Sequence, residues 1–240
     1  GRGVGPSRLG RAAAAEQKDA VAELKADCLR AQQALEMSGT HGASVTFYTR
    51  LLDGAPFELF LSADLDYPKK LVAAGLADGS TTFLYSRGHL VLWVPAGSPI
   101  PLEQLGTKAL LHPAARKVAI ANPSHAPYGR AAEAALARLG LLEAVRPRLV
   151  FGENIGQTAQ FVQSGAADIG LIALSLAKAP AMAGGRMREI PQDAHPPLDQ
   201  GGVILNHARN RAAALAFRDF MRSPEGKAIL LKYGFDTGAR

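Results

Sequence analysis

The 240-residue chain has a single cysteine, Cys28, which excludes an intramolecular disulfide and any thiolate-based metal site. No run approaches the roughly 18 consecutive apolar residues of a membrane span, so the chain reads as not membrane-spanning. The first 15 residues carry arginines and an AAAA stretch but lack the apolar core of about 7–15 residues that an intact signal peptide needs. Aromatics make up only 6% of the residues. No basic stripe interleaves with them, which argues against nucleic acid as a partner. The six histidines, at 41, 89, 112, 125, 195 and 207, are scattered without HExxH spacing. GxSxG and the GK[ST] of a phosphate-binding loop are absent as well. With no metal-ligand spacing, nucleophile motif or cofactor fingerprint, the sequence predicts neither an enzyme nor a bound cofactor.

What is present is an ordinary globular balance, 48% hydrophobic and 20% charged, with a formal charge of +6 that suits anionic ligands. Segments 57–63, 89–97, 116–123, 148–154, 167–175 and 201–206 are apolar or β-branched and end in loops, so they read as strands. Helical spacing marks 16–35, 45–54, 66–77, 102–111, 127–139, 155–165 and one or two helices within 208–235. Segment 38–44 reads as loop, and 1–11 as a poor strand. Alternating strands and helices predict an α/β fold with mixed, mostly parallel sheets and flanking helices.

Three junctions lead into helix starts through small, hydroxyl-bearing or amide residues: GAS (42–44), APYG (126–129) and ENIG (153–156). Pro127 suits a first helical turn, where its missing N–H costs nothing. Tyr128 adds a hydroxyl, and Gly129 leaves backbone N–H groups uncrowded. Such ends attract anions through the helix dipole and free N–H groups. Among groups that could act in catalysis, Asp64 and Asp66 have the spacing of helix-capping carboxylates. His125 sits in a loop with no partner visible in the sequence, and Trp93 belongs to a core strand.

GAPFELFLSADLDYPKKLVAAGLA (54–77), HLVLWVPAG (89–97), AIANPSHAPYGRAA (119–132), VFGENIGQTAQFVQSGAADIGLIALS (150–175) and SPEGKAILLKYGF (223–235) strongly resemble the periplasmic molybdate-binding proteins of ABC transporters. The resemblance implies a type II periplasmic binding-protein fold of two lobes joined by two crossover segments that act as a hinge. Lobe one would be 1–88 with 202–240 returning to it, and lobe two 89–201, with the ligand in the cleft between them. It implies a monomer that captures molybdate or tungstate with neutral donors and hands it to an ABC permease in the periplasm. An oxyanion-sensing module of the same fold, or a member with weakened binding, is the alternative. Carried over residue by residue, the ligand contacts are Ala15, Ala43, Ser44, Tyr128 and Ile155. The chain departs from the family pattern at its N-terminus: an apolar first strand is not evident, and Ala15 and Glu16 stand where family members carry a small or polar donor pair.

Overall fold

The computed structural model describes residues 7–14, 22–24, 35–42, 59–62, 64–208, 211–232 and 235–238. In chain order the strands are β1 (Ser7–Ala14), β2 (Leu35–Gly42), β3 (Leu59–Ser62), β4 (Ala77–Gly88), β5 (Leu90–Val94), β6 (Val118–Ala121), β7 (Leu149–Gly152), β8 (Ile169–Ala173), β9 (Arg186–Glu189) and β10 (Leu198–Leu205). The helices are α1 (Asp66–Ala73), α2 (Leu102–Leu105), α3 (Pro127–Arg138), α4 (Leu142–Val145), α5 (Ile155–Ser164), α6 (Leu174–Ala177), α7 (Arg211–Arg222) and α8 (Pro224–Lys232). These elements form two compact units. The first holds the described residues up to Ser86 with Asp199–Lys232 and those from Asp236; the second is Arg87–Leu198 with Phe235.

The first unit is built on a sheet of order β2-β1-β3-β10-β4. β1 runs parallel to both β2 and β3, whereas β10 is antiparallel to β3. Phe60, Tyr67, Leu71, Ala77, Val203 and Leu205 form its core, with Val72 and Leu76 packed against it. The buried Thr81 hydroxyl accepts the Ile204 N–H at 2.9 Å, tying β4 to β10. Asp64 starts α1 by accepting the N–H groups of Asp66 and Tyr67 at 3.1 and 3.2 Å.

The second unit carries a sheet of order β7-β6-β8-β5-β9. β7, β6 and β8 are mutually parallel, and β5 is antiparallel to β8 and β9. β5, β6 and β8 are buried along their whole length, as strands covered on both faces must be, which is why their sequences are continuous apolar runs. α3 buries Tyr128, Ala131, Ala132, Ala135 and Leu136, the three-to-four spacing of one helix face.

Several expectations are corrected. The arginine- and glycine-rich stretch at the N-terminus does form a strand, β1, and it is an interior one. It is paired with β2 through all eight residues and with β3 through three. Backbone ladders on both sides supply what its side chains do not advertise, since strand preference depends on neighbours more than on residue type. Segment 38–44, read as loop, contributes its first five residues to β2, which pairs with β1 along its whole length. β4 and β9 carry too many polar residues to stand out, and β4 shows alternation only across 81–85. α1 stops at Ala73 rather than near 77 because Gly75 turns the chain at φ 76°. The helix expected over 102–111 is a short α2 followed by a 3-10 segment, Gly106–Leu111. Of the helix expected over 16–35, residues 22–24 are described and helical. The one expected over 45–54 lies outside the described residues.

Candidate functional site

β6 and β7 pair in parallel register from Val118↔Leu149 to Ala121↔Gly152, so their carboxyl ends finish side by side. Each leads through a short loop into a helix, β6 into α3 and β7 into α5. β8, the neighbour of β6 on its other side, ends at Ala173 and enters α6 directly. The chain therefore leaves β6 toward one side and reaches β8 on the other. In open α/β sheets such a change of direction leaves a crevice at the strands' carboxyl ends, where ligands bind.

Local hydrogen bonds fix both loops. The Asn122 N–H donates to the Gly152 carbonyl at 2.8 Å, joining their roots. The Asn122 carbonyl then accepts the N–H groups of His125 and Ala126 at 2.9 and 3.0 Å, and its side chain accepts that of Ser124 at 2.9 Å. Ala126 is extended, φ −134° and ψ 135°, as the residue before a proline prefers. Pro127 occupies the first turn of α3, and no side chain caps that helix.

α5 begins differently. Asn154 accepts the Gln157 N–H on its side chain at 2.8 Å, and the Gln157 side chain accepts the Glu153 N–H at 2.7 Å. The Thr158 hydroxyl donates to the Asn154 carbonyl at 2.9 Å. This reciprocal cap satisfies the third N–H of the helix. The N–H groups of Ile155 and Gly156 remain in the first turn, where a helix offers no acceptor of its own. Two helix N-termini thus stand at the ends of adjacent strands, and their combined dipoles favour a negative charge.

The site's packing leaves little slack. A Cβ on Gly129 would lie 2.2 Å from the Ala121 carbonyl oxygen, so α3 sits directly on the end of β6 only because residue 129 has no side chain. Tyr128 is 2% and Ile155 4% exposed. Tyr128 is the second residue of α3 and Ile155 the first of α5, and the paired strands bring these two expected contacts to one edge of the sheet. Ala15, Ala43 and Ser44, with Glu16, lie outside the described residues. Ala15 and Ala43 directly follow the last residues of β1 and β2, which pair at Ala14↔Gly42.

His125 is not partnerless, as the sequence suggested: its Nδ1 is 3.2 Å from a Glu153 carboxylate oxygen, linking the two loops. The roles of Asn122, Asn154 and Gln157 also escaped sequence reading. Asn154 and Gln157 had a signal, an amide pair three residues apart at a helix start, which is the spacing of a reciprocal cap. Asp64 is engaged in capping α1, the structural role its spacing suggested. Among the described residues no group of three or more His, Cys, Asp or Glu could hold a metal ion, and no helix is long and apolar enough to cross a membrane.

Known proteins give this architecture its context. The model of the bacterial extracellular solute-binding protein family matches residues 9–236. The molybdate-binding protein ModA of Rhodobacter capsulatus is 41% identical over 196 residues, 82% of this chain and 75% of the relative. Its counterpart in Azotobacter vinelandii is 38% identical over 195 residues, 81% of this chain and 76% of the relative. The solved periplasmic molybdate-binding protein of Azotobacter vinelandii superposes with a TM-score of 0.88 at 31% identity, covering 95% of this chain and 98% of that one. The two α/β units thus have the type II periplasmic binding-protein fold, and the chain belongs to the bacterial extracellular solute-binding proteins, in the molybdate-binding ModA family.

Proposed function

We propose that this chain captures molybdate or tungstate as a free dianion and delivers it to the permease of an ABC importer, acting in the periplasm as a monomer. The observation that carries the reading is the pairing of two helix N-termini, those of α3 and α5, at the ends of adjacent parallel strands. Neutral donors stand there, in a chain whose relatives bind molybdate. β6, β7 and α5 contain no charged residue. A site of this kind holds an oxyanion with dipoles and N–H or O–H groups, so no buried counter-charge has to be desolvated.

In this reading Tyr128 contributes its hydroxyl, and Ile155 its backbone N–H from the first turn of α5. Ser44 adds a second hydroxyl, and Ala43 and Ala15 backbone groups that follow β2 and β1. The protein performs no reaction. Its work is to strip water from the anion and replace it with fixed donors, and the affinity gained comes from their being already in place. A hydrogen bond to a charged partner is worth about 1.5–3 kcal/mol. Tyr128→Phe therefore weakens molybdate binding by about ten- to a hundredfold.

Thermal unfolding with molybdate, tungstate, sulfate and phosphate at equal concentration tests the reading. Molybdate and tungstate raise the midpoint, whereas sulfate and phosphate leave it nearly unchanged. An equal shift with all four anions would refute the ligand assignment.

A further inference from the structure

Beside the neutral donors of α3 and α5 stands an imidazole–carboxylate pair, His125 and Glu153, 3.2 Å apart. Glu153 is two residues before the first turn of α5, and its side chain is 71% exposed against 39% for His125. A carboxylate there occupies the same positive end of the helix that an oxyanion would use, and it repels a dianion. We infer that His125 serves the anion site by offsetting the Glu153 carboxylate beside it, so that a dianion approaching the α3 and α5 N-termini meets less repulsion. The inference rests on the molybdate reading above and assigns His125 a positioning and electrostatic role, with no contact to the ligand.

In the two loops, 122–126 and 153–154, His125 and Glu153 are the ionisable side chains. β6 (Val118–Ala121), β7 (Leu149–Gly152) and α5 (Ile155–Ser164) carry no ionisable group. The remaining loop side chains, Asn122, Ser124, Asn154 and Gln157, are neutral. α3 contributes Arg130, which closes its first turn, and Glu133 and Arg138 beyond it. Glu153 is the acid that faces His125.

A purely mechanical strut and a counter-charge differ in sign. Without the bond, a strut loosens whichever partner is removed. A counter-charge gives opposite results for the two partners. Molybdate titrations of the unaltered chain, His125→Gln, Glu153→Gln and the double variant separate them, run at about 20 mM salt. H125Q is expected to weaken binding by about three- to fivefold and E153Q to tighten it by about twofold. The double variant should return to within about twofold of the unaltered chain. The H125Q deficit should shrink at about 500 mM salt, where exposed charges are screened. Equal weakening by both single variants, or no change in any variant while the unaltered chain binds molybdate, overturns the inference and leaves the molybdate reading standing. Absence of molybdate binding by the unaltered chain overturns both.

Discussion

At the scale of single residues, the site depends on what is missing from position 129 and on what caps position 157. Gly129 lets α3 approach the end of β6, and a methyl group there would meet the Ala121 carbonyl oxygen. Gly129→Ala therefore forces the helix outward. It should cost about 1–3 kcal/mol of stability, in the range of overpacked core sites, and it should weaken anion binding as the first turn of α3 moves. Urea unfolding followed by a molybdate titration checks both; an alanine variant as stable as the parent would show that α3 can shift freely. Asn154→Ala removes the side-chain cap of α5 and should cost about 1 kcal/mol. Amide hydrogen exchange would locate that loss in the first turn of α5. These positions also show why half of the site could be read in advance. Pro127 and Gly129 act through their own backbone chemistry, which is local and written in the sequence. The His125–Glu153 contact joins two loops 28 positions apart, and no local pattern announces such a pair.

Among elements, the core strands β5, β6 and β8 were legible because burial on both faces leaves continuous apolar runs. β1 was not, because arginine and glycine interrupt its apolar residues, although its backbone pairs with both β2 and β3. β4 hid for a related reason: it borders only β10 and opens with Asp78, Gly79 and Ser80. Asp78 nonetheless anchors that edge, accepting from the Ser80 hydroxyl at 2.7 Å and from Arg211 of α7 at 2.5 Å. The Ser80 hydroxyl first, then Arg211, hold its carboxyl below the ordinary value of 3.8. A lowered carboxylate favours the folded state above the ordinary value and loses that contribution as the pH falls through the lowered one. Asp78→Asn should thus lower the melting point slightly at pH 7, and the difference from the parent should shrink as the pH falls below the ordinary carboxylate value. A difference that persists undiminished in acid would assign the effect to packing instead of charge.

For the whole molecule, membership in the solute-binding proteins leads to one expectation: binding stabilises. A ligand at about a thousandfold excess over its Kd adds about 4 kcal/mol to the folded state, which for a chain of this size raises the melting point by about 10 °C. The direct test of the central claim is an isothermal titration of the unaltered chain with molybdate. The account predicts saturable heat with one anion bound per chain, unaffected by a large excess of sulfate. No heat with molybdate, or a signal that sulfate abolishes, would contradict it.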